Sequence, residues 1–525
     1  MDRVRIYDAT LRDGAQGEGV SLSVEDKLLI ARRLDDVGID YIEGGFPGSN
    51  PKDREFFSLM QNEKLKHSKL VAFGSTRRAR GKAKDDPGLK GIIEAGAPAA
   101  AIFGKSWDLH VKDVLRTSLK NNLLMIEDSV AFLKAAGLEV VYDAEHFFDG
   151  YREDPEYALA TLKAAEKGGA DWIVLCDTNG GTLTWELVSA LGDVISHVNA
   201  PVGIHTHNDC GLAAANSLAA VRIGATQVHG TINGYGERCG NADLCSVVPT
   251  LELKMGKRCL PDGNLSKLTE MSLYVAEIAN QTPNETQPYV GNSAFAHKGG
   301  MHIDAMQKNT QTYEHIDPVL VGNRRRLLLS ELSGRSLILD KARKYDPDVK
   351  KNSPEIRRLF HELGERELHG YLFEGAEGSF QLLLMKAFNR HEELFQRVGF
   401  RIIVDKTEGG VKSEATIKIG LGDRQVHTAA EGDGPVNALD AALRKAVQEF
   451  YPEIKNIHLT DYKVRVLDGG AGTASKVRVL IESTDNEALW GTVGVSENII
   501  EASWQALVDS LEYGLLYKKV RNEGK

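Results

Sequence analysis

Two histidines one residue apart, His205 and His207, open the run His205-Thr206-His207-Asn208-Asp209 directly after the apolar stretch Val202-Gly203-Ile204. On an extended strand alternate side chains share a face, so both imidazoles point the same way. Two imidazoles on one face suit Zn, Mn, Co or Fe. An isolated His-x-His recurs by chance; its place at a strand end inside a polar run is what favours the ligand reading. Four other runs have the same form. Asp8-Ala9-Thr10-Leu11-Arg12-Asp13-Gly14 offers Asp13 as a hard oxygen ligand and Arg12 as a fixed cation beside it, unless the two merely pair on a loop. Gly234-Tyr235-Gly236-Glu237-Arg238-Cys239-Gly240-Asn241-Ala242 carries glycines that let backbone approach a ligand, and Asn241 offers an amide oxygen; a flexible loop with a capping Asn is the plainer alternative. Asp143-Ala144-Glu145-His146 supplies Glu145 to orient or exchange protons. Cys176-Asp177-Thr178-Asn179-Gly180-Gly181 supplies Thr178, whose hydroxyl can hold a carboxylate.

Something must bring these five runs to one place. Each follows a short apolar segment, and eight such segments recur in the first 250 residues: Val4–Tyr7, Tyr41-Ile42, Leu70–Phe73, Ala100–Phe103, Val140–Tyr142, Trp172–Leu175, Val202–Ile204 and Gln227–His229. Amphipathic stretches separate them, and strands alternating with helices imply parallel βαβ units. Eight units suit a closed (β/α)8 TIM barrel better than an open doubly wound sheet, since no Gly-x-Gly-x-x-Gly follows the first strand. In such barrels the chemistry collects at the C-terminal ends of the strands, where these runs stand. Ser23-Val24-Glu25-Asp26 caps a helix that Gly38 stops, and Asp154-Pro155 starts another.

The barrel is expected over residues 1–275. From 276 to 390 the rhythm is lost and helical linker subdomains are expected. Ser353-Pro354-Glu355 opens a helix there, and Phe380–Leu384 forms a further short element. Over 391–525 the period changes to alternation. Strand runs at 399–405, 414–420 and 424–429 precede a helix from Gly434-Pro435. Runs at 462–467, 476–482 and 489–495 precede a helix over Ile499–Leu516. Two βββα modules make a C-terminal α+β regulatory/dimerisation domain. Its glycine-rich turns, Gly432-Asp433-Gly434 and Asp468-Gly469-Gly470-Ala471-Gly472, are candidates for an amino-acid effector site.

A net charge of -10 from 64 basic and 74 acidic residues argues against nucleic acid, whose phosphates need a basic field. Arg324-Arg325-Arg326 is a possible anion contact for CoA phosphates, with a solvated surface run the favoured reading. Five cysteines without Cys-x-x-Cys spacing give neither a disulfide framework nor a zinc ribbon. With no apolar leader or membrane-length stretch, a reduced cytoplasmic enzyme is expected.

The runs at Asp8–Gln16, His205–Asp209 and Gly236–Ala242 resemble the signatures of the 2-isopropylmalate/homocitrate/citramalate synthase family of metal-dependent Claisen-condensing barrels. The tail is similar to that family's regulatory dimerisation domain, so the resemblance covers nearly the whole chain. The segments Glu18–Ser21, Tyr41–Asp53 and Asp143–Tyr151 resemble the longer branch that acts on pyruvate. The resemblance implies condensation of acetyl-CoA with pyruvate at the start of isoleucine synthesis, with 2-oxoisovalerate as the alternative oxo acid. It implies Asp13, His205, His207 and Asn241 as ligands of a divalent metal (Mn, Zn, Co or Mg), and Arg12 at the developing oxyanion. Thr178 would hold the oxo-acid carboxylate, with Glu145 beside it. The segment Gly299-Gly300-Met301-His302-Ile303-Asp304 matches the family's linker, which reaches a partner's barrel in a homodimer. It implies His302 as the base with Tyr313 its neighbour, and His297 as the competitor. Ala305 stands where the family pattern has Gly, which leaves the backbone there open. Bulk beside Glu145 points to Phe147 and Phe148 as the residues narrowing the oxo-acid pocket. A lyase that cleaves a hydroxyacyl-CoA on the same barrel and a metabolite sensor with a vestigial barrel are less favoured. The long tail counts against the first and the intact site residues against the second.

Overall fold

Each of the eight apolar runs is a short parallel strand in the computed structural model, which describes residues 2–328, 334–407, 410–422, 424–467 and 474–523. The strands are β1 (Arg5–Asp8), β2 (Tyr41–Gly45), β3 (Lys69–Ser75), β4 (Ala99–Lys105), β5 (Glu139–Glu145), β6 (Trp172–Asp177), β7 (Val202–Thr206) and β8 (Gln227–Gly230). Neighbours in sequence pair in order and β1 closes on β8, so the sheet is a closed barrel. Register places His205 beside Cys176 on one side and beside His229 on the other.

Two apolar layers hold the barrel. The outer one packs strand residues such as Ile6, Ile42 and Ile204 against helix residues such as Ile30, Leu34 and Leu191. The inner one mixes the aromatic rings of Tyr7, Tyr41 and Phe73 with the small side chains of Ala99 and Ala101. Large and small residues thereby fill the interior, which is a packed core and no pore. Local signals act as the sequence requires. Ser23 accepts from the Asp26 amide and Asp26 returns the bond, and Gly38 ends that helix at φ 94°. Asp154 caps the helix Pro155–Gly168.

The chain divides into two compact units, Met1–Phe295 with Ile316–Arg325, and Ala296–His315 with Arg326–Lys525. The first contains the barrel and the helix Leu268–Ile278 that follows it. The second contains a short parallel pair, β9 (Ala296–His297) and β10 (Arg326–Leu327), and the helices Gly300–Lys308, Gly334–Ala342, Pro354–Leu368 and Glu377–Ala387. Phe380–Leu384 is part of that last helix rather than an element of its own.

The rest of the second unit is the expected pair of βββα modules. Strands β11 (Gln396–Thr407), β12 (Gly410–Leu421) and β13 (Arg424–Gly432) form an antiparallel sheet followed by the helix Pro435–Val447. Strands β14 (His458–Val466), β15 (Val477–Thr484) and β16 (Leu489–Ser496) form a second, followed by the helix Ile499–Glu523. Along β12, Ala415, Ile417 and Ile419 are fully buried while Lys412, Glu414 and Lys418 are exposed, as the period of two requires. They share a core with Leu439 and Leu443 of the following helix. At Gly432 a Cβ would strike the Ala438 amide, so close packing of strand on helix accounts for that glycine. The turn Asp468–Gly472 lies outside the described residues. Among the described residues no helix is long and apolar enough to cross a membrane.

Candidate active site at the C-terminal end of the barrel

Strand ends bring Asp13, His205, His207 and Asn241 together from across the sequence. The Asn241 amide donates to Asp13 Oδ1 at 3.0 Å, and its oxygen lies 2.9 Å from His205 Nε2. Asp13, His205 and His207 each offer a ligand atom within 4.8 Å of the others, and all three residues are buried. Asn241 is held there by the loop around it. Its backbone pairs with His207 in an antiparallel bridge, and its amide also donates to the Tyr235 carbonyl at 3.1 Å. A Cβ at Gly236 would strike the Asn241 amide nitrogen and one at Gly240 the Gly234 carbonyl. These glycines make room for Asn241 and its own loop, a more local reason than the approach of a ligand.

The donor set fits a borderline divalent ion. One carboxylate and two imidazoles, with an amide oxygen on the fourth side, match the ligand types of Zn, Mn and Co. His207 Nδ1 is buried without a hydrogen-bond partner, an atom whose desolvation a ligated ion would offset. Protonation states agree. Burial pushes His205 down to about 4 and also lowers His207, so both rings are neutral at neutral pH. Burial works to raise Asp13, but the Arg12 charge leads the effects that outweigh it and hold the carboxyl well below its usual range. A second set, Asp143, His205 and His229, has similar spacing. It fits worse, because burial and the Glu43 charge push Asp143 far above the carboxylate range. A metal needs the deprotonated form. His229 is in addition stacked 3.7 Å from Tyr7 and bonded to Gln227.

Arg12 is fixed on three sides. It donates to Asp13 Oδ2 at 2.9 Å and to Glu43, and its guanidinium lies 3.9 Å from the centre of the Phe73 ring. Burial opposes its charge, and Glu43 and then Asp13 more than restore it. Glu43 is fully buried on β2 and also accepts from the Tyr7 hydroxyl at 2.6 Å.

Arg12, Asp13, His205 and His207 line a cavity of about 600 Å³, together with Glu145 and Thr178. Glu145, at the end of β5, pairs with Lys105 at the end of β4. The Thr178 oxygen accepts from the His146 amide at 2.9 Å, so its hydrogen is left to donate. Phe147 and Phe148 are not part of this wall. His146 turns the chain at φ 55° into the helix Phe147–Glu153, and both rings pack into the core beneath it. The aromatic side of the cavity is Phe46, Phe73 and Phe103, with Phe73 stacked on Phe103 at 5.5 Å.

His302 and Tyr313 lie in the second unit, on Ala296–His315. The structure brings the two together: their rings stack at 4.0 Å, and His302 is exposed. His297 instead faces the buried carboxylate of Glu314 at 3.4 Å. Ala305 sits inside the helix Gly300–Lys308, where a Cβ is ordinary.

Glu43, Lys105, Phe73, Phe103 and Arg238 were not singled out by the sequence. A carboxylate inside the otherwise apolar run of β2 is the one signal that pointed to any of them.

Three family models match successive parts of the chain. The HMGL-like family matches residues 3–275, the Homocitrate synthase post-HMGL domain-like family residues 289–367, and the LeuA allosteric (dimerisation) domain residues 374–515. The (R)-citramalate synthase of Geobacter sulfurreducens is 56% identical over 526 residues, covering 100% of this chain and 99% of that protein. The (R)-citramalate synthase of Aquifex aeolicus is 53% identical, covering 98% of each. The probable 2-isopropylmalate synthase of Methanopyrus kandleri is 33% identical, covering 97% of each.

Proposed function

We propose that this chain, which belongs to the HMGL-like family and shares 48–56% of its residues with five (R)-citramalate synthases over nearly its whole length, joins the methyl carbon of acetyl-CoA to the keto carbon of pyruvate, then hydrolyses the thioester to release citramalate and CoA. The observation that carries the reading is the meeting of Asp13, His205 and His207, with a partnerless buried His207 nitrogen, directly beside a clamped Arg12.

Asp13, His205, His207 and Asn241 would hold a divalent ion, Mn, Zn, Co or Mg, that polarises the keto carbonyl as a Lewis acid. The residues supply the rest. Thioester methyl protons are very weakly acidic, so a base must act while charge is stabilised. His302 is that base, imidazole being the side chain suited to exchanging a proton near neutral pH. Its segment is read as reaching the barrel of a partner chain in a homodimer, with the LeuA-type tail holding the pair. Arg12 places a fixed positive charge where the keto oxygen becomes an oxyanion, and its clamp means no reorganisation is needed at that moment. Thr178 donates its free hydroxyl hydrogen to the oxo-acid carboxylate, and Glu145 beside it shuttles protons during thioester hydrolysis. Phe73 and Phe103 leave room for a methyl group and crowd a branched one. Five free cysteines fit a reducing cytoplasm, and the tail is read as the site of an amino-acid effector.

A thiol-release assay with acetyl-CoA tests the reading. Pyruvate should release CoA, chelation should stop the reaction, and Mn or Co should restore it. Equal kcat/KM for 2-oxoisovalerate, or turnover indifferent to chelation, would overturn it.

A further inference from the structure

One side chain ties together the loops after β6, β7 and β8. Arg238, on the β8 loop, donates through Nε and Nη2 to the two Asp209 oxygens at 2.7 and 2.9 Å. Its Nη2 also donates to the Thr178 carbonyl at 2.8 Å. Asp209 belongs to the β7 loop, two residues past His207, and Thr178 to the β6 loop. Backbone bonds run in parallel: Asn208 N to Gly240 O at 2.9 Å, and Cys210 N to Gly180 O at 3.1 Å. At Gly180 a Cβ would strike the Asp209 carboxylate, so the glycine keeps the space the clasp needs.

The clasp comes at a conformational cost. Arg238 has φ 56°, a region that residues with a Cβ rarely adopt and that persists only where surroundings over-determine it. Stability does not account for it, because the pair is partly exposed and such pairs contribute little. Arg238 lines the same cavity as Thr178, Arg12 and His207. We infer that Arg238 is a positioning residue that fixes Thr178, and so sets where the oxo-acid carboxylate is held.

The inference rests on the reading that Thr178 donates to that carboxylate, and the test separates the two. Full-length, metal-loaded Arg238→Met, Arg238→Lys and Asp209→Asn are compared with the unmodified enzyme. Arg238→Met should raise KM for pyruvate roughly tenfold, while KM for acetyl-CoA, metal content and Tm stay put. Arg238→Lys, which keeps the charge but loses the fork, should recover part of the loss. Arg238→Met/Asp209→Asn should be no worse than Arg238→Met, because both break one network. A parallel rise in both KM values, loss of metal or additive effects would overturn the clasp. Failure of the unmodified enzyme to turn over pyruvate would instead overturn the functional reading.

Discussion

The barrel end and the paired tail modules spend burial differently. At the barrel end Asp8, Asp13, Glu43, Asp143, His205 and His229 are all buried. Burial pushes Asp8 up to about 7 and His205 down to about 4. In the tail, β12 buries alanine, isoleucine and leucine against one helix and turns its two lysines and its glutamate to water. Among the described residues, both groups able to hold a metal lie in the barrel. Buried polar groups are costly and persist where they do chemistry or are fully bonded; an apolar sheet face needs no such reason. The contrast puts the candidate site chemistry in the first region and an apolar packing core in the second.

Five substitutions break or sharpen that contrast. His302→Ala attacks it most directly, because His302 lies on the unit that also carries the tail. It should lower kcat by about 10³-fold with the metal retained, the scale of a lost general base. His297→Ala, with its ring facing Glu314, should change kcat far less; equal losses would remove His302 from the role. Arg12→Ala should lower kcat/KM for pyruvate by about 10²-fold, as loss of one preorganised charge does, measured by thiol release under saturating metal. Phe103→Ala should move the pyruvate to 2-oxoisovalerate ratio by roughly tenfold, the scale of one or two methylenes in a pocket; an unchanged ratio would take the aromatic wall out of specificity. Leu439→Ala, in the first tail helix, should cost about 2–5 kcal/mol of local stability by thermal unfolding. Its effect on metal affinity should be the smallest of the five.

The barrel was legible because its signal is repetitive. Eight apolar runs and their polar ends state both the strands and the end where chemistry gathers. The tail was legible because its alternation repeats with a helix after every third strand. His205 and His207 could be read from their spacing together with their place at a strand end inside a polar run, since a strand fixes their common face. Glu43 could not be assigned a role, because nothing local shows that it will meet Arg12, thirty-one residues away. Nothing near Arg238 in sequence marks it either, because its partners Asp209 and Thr178 stand on the loops after two other strands. Phe147 and Phe148 misled for a related reason: adjacency to Glu145 in sequence says nothing once a left-handed His146 turns the chain away.

The central claim is that four residues converge on one cation, and a Mn titration of metal-depleted full-length protein tests it most directly. The unmodified chain should bind one ion per chain. Asp13→Asn and His207→Ala should each weaken binding by more than about 100-fold, since even losing a group that only supports a ligand costs 10–100-fold. Unchanged affinity and stoichiometry in both variants would contradict the account.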